Sequence, residues 1–221
     1  MKRFFCCLSL AVLAFTGISV SAKTPDLLGG EMINKEYNVS DFTMLTLSVP
    51  ADVVYEAGRT FLSVEGPEKI VNSLDVKVSN GRLTITTRNK LRNVRKLSVI
   101  ASSARLDAID INGACDFTSE RGFESKDLKI NINGAGDVEI DNIYAESISA
   151  TLNGAGDIEL DDIDCAGNLS IRINGAGSAD VSGRAGSADF KINGAGSIDA
   201  EDLSCNRVNP SINGVGSIKT N

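Results

Sequence analysis

The sequence contains no histidine and no tryptophan, and aromatic residues make up only 5% of its 221 residues. The absence of histidine removes both the commonest general base and the commonest transition-metal ligand. The scarcity of aromatic rings leaves a stacking platform for bases or sugar rings poorly supplied. The composition therefore offers little material for a conventional catalytic or metal centre.

Long apolar runs are also absent, apart from one at the N-terminus. Lys2 and Arg3 precede an apolar run over residues 4–15, and small residues follow as far as Ala22. This pattern predicts a secretory signal peptide over residues 1–22, because the run is too short to span a bilayer comfortably. We expect an exported protein without a membrane span after cleavage, located in the periplasm, on the outer-membrane surface or outside the cell.

The charge balance is acidic. Removal of Lys2 and Arg3 leaves 20 basic residues against 29 acidic ones, a net charge of −9. Such a balance argues against binding to nucleic acid or to an anionic membrane surface. A basic run over residues 88–96 is interpreted as a solvated loop or edge strand, and a patch for an acidic glycan or lipid headgroup is the alternative.

One short pattern, Ile-Asn-Gly-Ala-Gly-Asp with variants, recurs through the second half of the chain. Self-similarity at a fixed period near twenty is typical of a solenoid in which each unit stacks on the last. Apolar and polar residues alternate on both sides of each copy, which favours strands with one buried face over the helix of a leucine-rich repeat. The six asparagines of the pattern are Asn112, Asn133, Asn153, Asn174, Asn193 and Asn213, spaced by 21, 20, 21, 19 and 20 residues.

These observations predict an all-β fold, a parallel β-helix-like solenoid with about twenty residues and two or three short strands per rung. In this interpretation the repeated pattern is a corner: Asn-Gly tolerates positive φ, and the asparagine amides hydrogen-bond from rung to rung. We predict a single domain over residues 36–221, irregular over 36–105 and regular over 106–221. A flexible lead over residues 23–35 precedes it.

The irregular half carries local signals of its own. The pair Asn80-Gly81 between two alternating runs predicts a β-hairpin. Residues 68–73 are suited to one helical turn.

Three cysteines remain after signal cleavage, and an odd number cannot pair fully within one chain. Cys165 and Cys205 each follow a corner asparagine by 12 residues, so they occupy equivalent positions two rungs apart. That separation is about 9.6 Å at the usual strand spacing, beyond the reach of a disulfide. We predict that Cys115, Cys165 and Cys205 are free, buried thiols.

The fourth position after each corner asparagine is acidic in the first three repeats, at Asp116, Asp137 and Asp157, and serine in the last three. Carboxylates stacked about 4.8 Å apart repel each other unless they are solvated, hydrogen-bonded or bridged by a cation. Each aspartate either caps its corner by accepting a backbone N–H or contributes to a calcium-binding or other ligand face. Capping is favoured, because glycine-rich calcium-binding repeats have a period of about nine residues. We predict no cofactor and no resident metal.

The six corners resemble the family of putative auto-transporter adhesins with a head GIN domain, over roughly residues 36–219. The segments Pro50-Ala51-Asp52-Val53 and Asn80-Gly81-Arg82-Leu83 resemble the first-half pattern of that family. The resemblance implies a right-handed β-helix-like fold at the cell envelope.

The expected function is that of a non-enzymatic envelope or cell-surface module that binds an envelope or extracellular glycan or protein, for example in adhesion. A polysaccharide-acting enzyme is one alternative, since β-helices host such enzymes. A self-assembling, homo-oligomeric envelope protein is another, since an exposed β edge can add strands, although Pro210 lacks the N–H of a ladder residue. The carboxylates available to an enzyme cluster at Asp161, Asp162 and Asp164, and at Asp199, Glu201 and Asp202.

Overall fold

The computed structural model describes residues 30–87 and 97–221. The predicted signal peptide and the basic run over residues 88–96 lie outside the described residues. One short helix, α1 (Glu68–Val71), lies within the segment predicted to form a helical turn. The strands are β1 (Met32–Glu36), β2 (Met44–Leu47), β3 (Ala51–Ala57), β4 (Phe61–Pro67), β5 (Leu74–Ser79), β6 (Arg82–Thr87), β7 (Leu97–Ser103), β8 (Ala108–Gly113), β9 (Cys115–Ser119), β10 (Phe123–Ala135), β11 (Val138–Asp141), β12 (Ile143–Ile173), β13 (Ala176–Ala200), β14 (Leu203–Cys205) and β15 (Val208–Thr220).

The repeats stack in parallel, with each corner asparagine beside the next. Asn133 lies between Asn112 of β8 and Asn153 of β12. The strands form one curled, 15-stranded sheet with about twenty residues per turn, which confirms the predicted β-solenoid. The match between sequence period and strand register follows from the physics of the solenoid, in which like positions stack in ladders.

Each regular rung contributes to three faces of this curled sheet, which we call the first, second and third sheets. The first sheet contains the residues before each corner, such as Leu128 paired with Ile148. The second sheet contains the residues after the corner, such as Val138 paired with Ile158. The third sheet follows the next bend, where β13 lies between β12 and β14. Because β12 and β13 continue through their corners, each supplies strands to several faces.

The core is the column of inward-facing side chains inside these three sheets. Ile132, Leu152 and Ile173, which precede three successive corners, are completely buried. Burial of each such side chain contributes about 1.5–3 kcal/mol, and no single rung could enclose it alone. Toward the N-terminal half the column contains aromatic rings, with Tyr55 6.1 Å from Phe117 and 5.4 Å from Phe123 between ring centres.

The irregular half does not stack in chain order. β2 lies between β6 and β8, and β3 lies between β7 and β9, in parallel in every case. The rung that contains β6 and β7 is therefore the outermost of the parallel rungs, although it follows β2 and β3 in the sequence. The chain returns past this outer rung to continue at β8 on the other side of β2.

Antiparallel strands complete this end of the solenoid. β4 pairs with β7, and β1 pairs with β4, from Met32 beside Pro67 to Glu36 beside Ser63. The predicted flexible lead over residues 23–35 is therefore wrong for Met32–Lys35, whose backbone is held in a ladder. The predicted hairpin joins β5 and β6, and positive φ at Asn80 (51°) and Gly81 (72°) gives the expected type I′ turn.

The cysteines follow the repeat register. Ala185 lies between Cys165 and Cys205 in the third sheet, so the predicted separation by two rungs is confirmed. Cys115 and Cys165 are buried as predicted. The prediction is wrong for Cys205, which is only partly buried because β14 is the last strand of the third sheet in the described chain.

A separate observation concerns membrane insertion. Within residues 30–87 and 97–221, no helix has both the length and the apolar character needed to cross a bilayer.

Candidate functional site

The corners contain a continuous ladder of asparagine amides. The Nδ2 of Asn153 donates to Oδ1 of Asn133 at 2.9 Å, and Oδ1 of Asn153 accepts from Asn174 at 2.8 Å. The same bond joins Asn133 to Asn112 (3.2 Å), Asn193 to Asn174 (2.7 Å) and Asn213 to Asn193 (3.1 Å). All six asparagines named above therefore lie in one ladder, as the sequence predicts, and the last five each donate toward the N-terminal end.

The glycine after each asparagine makes the turn. Its φ ranges from 124° at Gly113 to 157° at Gly175, whereas positive φ is not found at the corner asparagines. A Cβ atom on Gly134 would lie 2.2 Å from the carbonyl oxygen of Gly113 in the rung before. Glycine is therefore required both for the backbone conformation and for the close stacking of successive corners.

The three corner aspartates form a second ladder on the same edge. Asp116 Oδ1 accepts the backbone N–H of Asp137 at 3.3 Å, and Asp137 Oδ1 accepts that of Asp157 at 2.9 Å. Asp157 Oδ1 in turn accepts the backbone N–H of Ser178 at 3.1 Å and its hydroxyl at 2.5 Å. This geometry corresponds to the capping interpretation, extended from one rung to the next.

A separate observation concerns metal binding by the same aspartates. Among the residues that the structure describes, no cluster of three or more histidine, cysteine, aspartate and glutamate side chains is arranged to hold a metal ion. Whether calcium binds the aspartate ladder stays a prediction to be tested.

The outer surface of the second sheet is acidic. Glu159 lies beside Glu139 on one side and Asp180 on the other. Partial burial raises the pKa of both glutamates above the ordinary range, and neighbouring carboxylates, first Asp141 for Glu139 and Asp161 for Glu159, raise it further. These groups repel each other as long as they are ionised.

At the C-terminal end of this row of carboxylates, a lysine relieves the repulsion. Lys219 donates to Asp199 at 2.8 Å, and this hydrogen bond lowers the pKa of Asp199 below the ordinary aspartate range. Other acidic residues singled out in the sequence also have partners: Arg184 contacts Asp164 at 2.6 Å, and the hydroxyl of Ser182 contacts Asp161 at 3.1 Å.

The third sheet carries the feature that sequence reasoning missed. The side chain of Tyr144 is 56% exposed, whereas Tyr55 is fully buried and Tyr37 half-buried. Glu124 lies beside Tyr144 one rung earlier, and Asp164 occupies the equivalent position one rung later by the twenty-residue register. Arg184 follows beside Asp164. We call these four outward-facing residues, Glu124, Tyr144, Asp164 and Arg184, the Tyr144 patch.

The signal for the patch is present in the sequence. Ile143 and Ala145 point inward and are buried, so alternation places Tyr144 outside. Tyr144 is the most exposed aromatic side chain that the structure describes, ahead of Phe61 at 38%.

The chain matches a protein-family model. The model described as "Putative auto-transporter adhesin, head GIN domain" matches residues 41–162 and again residues 162–221. No match was found among curated proteins.

Several solved structures resemble the fold. A putative adhesin from Bacteroides fragilis is 25% identical with a TM-score of 0.69, covering 86% of this chain and 97% of that one. A putative adhesin from Parabacteroides merdae is 20% identical with a TM-score of 0.74, covering 86% and 81%. A putative lipid binding protein from Parabacteroides distasonis is 18% identical with a TM-score of 0.51, covering 87% and 97%. The latter two likenesses concern the fold alone.

Proposed function

Since the chain belongs to the family of putative auto-transporter adhesins with a head GIN domain, we propose that it is an exported, non-enzymatic module of the cell envelope that binds a glycan through the Tyr144 patch. The family and the Bacteroides fragilis structure indicate an adhesin-like β-solenoid of the cell surface. The predicted signal peptide supports export.

The exposure of Tyr144 is the observation that carries the proposal. The other large apolar side chains that are exposed in the described regular rungs are Ile212 and Val215 of β15, and the corner residues hydrogen-bond to each other. An aromatic ring that is 56% exposed leaves a large apolar surface in contact with water. A partner that covers this ring would recover the free energy of its burial.

The neighbours of the ring favour a sugar as that partner. A pyranose presents an apolar C–H face, which stacks on an aromatic ring, and a rim of hydroxyl groups. The carboxylates of Glu124 and Asp164 can accept hydrogen bonds from these hydroxyls, and the guanidinium of Arg184 can donate to them. Because the four side chains lie along the solenoid axis, about 4.8 Å apart per rung, an extended glycan chain fits the patch better than a single sugar.

The alternative of a polysaccharide-acting enzyme has weaker support. Paired acid and base carboxylates are needed for glycoside hydrolysis. Asp164 instead contacts Arg184, and Asp199 contacts Lys219 and the backbone N–H of Glu201. The contacts of Asp164 with Arg184 and of Asp199 with Lys219 join neighbouring rungs, and the hydrogen bond from Lys219 lowers the pKa of Asp199.

The test is a glycan array with the mature chain, followed by a binding titration with the best-retained glycan. Tyr144→Ala should weaken binding about tenfold, since loss of one stacked aromatic contact costs on the order of 1–2 kcal/mol. Val54→Ala is the matched control, because Val54 is also exposed (44%) but lies on the second sheet.

Three results would contradict the proposal. The first is equal glycan affinity of Tyr144→Ala and the unaltered protein. The second is an array without any retained glycan, alongside a protein ligand that needs Tyr144. The third is release of reducing ends or unsaturated products from a polysaccharide panel.

A further inference from the structure

Among residues 30–87 and 97–221, β15 is the last strand of both the first and second sheets, and only one of its edges is paired. In the described chain its partner is β13, from Ala188 beside Val208 to Ala200 beside Thr220. The other edge presents unpaired backbone groups around two faces of the solenoid. Two apolar side chains of β15 are exposed as well, Ile212 at 43% and Val215 at 82%.

The core is open at the same end. A depression of about 250 Å³ is lined by core residues, among them Phe190, Ala200 and Leu203, together with Val208 of β15. Ile212 continues the buried ladder of Ile192 but is exposed, because a further rung does not cover it in the described structure. The end of the solenoid thus combines a free strand edge with an apolar surface.

This edge lacks the charges that usually protect exposed strands. Lys219 is the one charged residue among the 13 of β15, and Asp199 of the neighbouring rung contacts it at 2.8 Å. At the opposite end of the solenoid, β1 carries Lys35 and Glu36 and β5 carries Asp75 and Lys77. An uncharged edge readily adds another strand.

We propose that this edge pairs with β15 of a second copy of the chain, in an antiparallel, end-to-end dimer whose twofold axis passes through the corner at Gly214. The axis bisects the angle between the first and second sheets, so each first sheet continues into the second sheet of the other copy. An isologous contact of this kind closes after two copies.

The register about Gly214 is self-complementary. It places Val208 opposite Thr220, and Pro210 opposite Ile218, in the two copies. Thr220 and Ile218 continue the inward ladders of Ala200 and Ile198, as Val208 continues that of Ala188. Inward positions therefore meet inward positions, and the two open cores join.

The orientation of the backbone fits the same arrangement. The N–H of Ala188 donates to the carbonyl of Arg207 at 2.9 Å, so the backbone groups of Arg207 point toward β13. Successive residues of a strand point their backbone groups to opposite edges, so those of Val208, Pro210 and Ile212 point toward the open side. Pro210 cannot donate, but its carbonyl can accept the N–H of Ile218 from the other copy. The proline thus removes one hydrogen bond on each strand and leaves the others available.

This inference goes beyond the proposed glycan binding and does not depend on it. A dimer would place two Tyr144 patches on one rigid body, which raises the avidity for a repeated ligand. The oligomeric state can be measured without any ligand, so failure of one proposal leaves the other testable.

The test is sedimentation velocity of the mature chain over a wide concentration range, with amide hydrogen exchange at the same concentrations. We expect a monomer–dimer equilibrium and concentration-dependent protection of the N–H groups of Val208 and Ile212. Val215→Lys places two like charges close to the twofold axis and should weaken the dimer about tenfold, a cost of about 1.4 kcal/mol. Val54→Lys, on the outer face of the second sheet, is the matched control and should leave the dimer intact.

Three outcomes would overturn the proposal: a monomer at every concentration, assemblies that grow beyond two copies, or a dimer that Val215→Lys leaves unchanged. Circular dichroism of both variants confirms that any loss of dimer is not a loss of fold.

Discussion

Asp157 donates its backbone N–H to Oδ1 of Asp137, one rung earlier in the solenoid, at 2.9 Å. Each of the two residues belongs to the same position of the repeat, so the bond is formed between one corner and the next. A motif that resembles a ligand-binding sequence is thereby engaged in holding rungs together. Serine replaces aspartate at this position of the repeat from Ser178 onward. The backbone N–H of Ser178 still donates to Asp157.

The first prediction concerns this bond. Asp137→Ala removes the acceptor for Asp157 and should lower the free energy of unfolding by about 1 kcal/mol, the typical net value for one hydrogen bond at a partly exposed site. Asp137→Asn keeps an acceptor oxygen and removes a like charge from the ladder, so it should be close to the unaltered protein. Urea denaturation measures both. Equal destabilisation by the two variants would show that charge, not hydrogen bonding, is the property that matters.

A second prediction separates backbone conformation from close stacking at the corner. Gly113 and Gly134 both have positive φ (124° and 150°), but a Cβ on Gly134 meets the rung before, whereas one on Gly113 has no atom within 4 Å. Gly113→Ala should cost about 1–3 kcal/mol from backbone strain. Gly134→Ala should cost clearly more, because the backbone of two rungs must also move apart. Denaturation midpoints that fall equally would remove the stacking argument.

The third prediction concerns pH. The raised pKa values of Glu139 and Glu159 mean that the folded protein binds more protons than the unfolded chain. The associated stability is fully present below the unfolded pKa, about 4.3, and is lost as the pH rises through the folded pKa values. The melting temperature should therefore be higher at about pH 4.5 than at neutral pH.

Asp199 contributes to the pH dependence of stability with the opposite sign, since its pKa is lowered. Its contribution is present above the unfolded value, about 3.9, and is lost only at more acidic pH.

The double variant Glu139→Gln, Glu159→Gln should flatten the pH dependence, and high salt should reduce it. A melting temperature that drops from neutral pH to about 4.5 would disprove the assigned cause.

The fourth prediction concerns calcium. Because Oδ1 of Asp116 and Oδ1 of Asp137 each accept a backbone N–H, we expect equal melting temperatures in excess calcium and in EDTA. A calcium ion bound to the folded state alone would raise the midpoint, and the rise would increase with the logarithm of the calcium concentration. A rise that disappears in Asp137→Asn would establish a cation site on this edge.

The regular half of the fold follows from local sequence. The spacing of the corner asparagines specifies the register of β8, β10, β12, β13 and β15, because one face of every strand must be buried. The hairpin at Asn80 and Gly81 follows in the same way, since the turn requires positive φ at both residues.

The strand order of the irregular half, apart from this hairpin, could not be derived from sequence. The insertion of β2 between β6 and β8 joins residues such as Leu45, Leu83 and Ile109 that are far apart in the chain and carry no repeat to align them. The pairing of Met32–Glu36 with β4 is likewise determined by tertiary structure, since the alternation of apolar and polar residues within β1 is weak. The Tyr144 patch lay within reach of the alternation argument, but the ring stands out only once the buried positions around it are known.

We propose that the corner builds the scaffold, whereas the Tyr144 patch binds the ligand. Parallel measurement of unfolding free energy and glycan affinity for Asp137→Ala and Tyr144→Ala tests it most directly. We predict that Asp137→Ala loses stability with unchanged affinity, and that Tyr144→Ala loses affinity with unchanged stability. A folded Asp137→Ala protein that no longer binds glycan, beside a Tyr144→Ala protein that still does, would contradict the account.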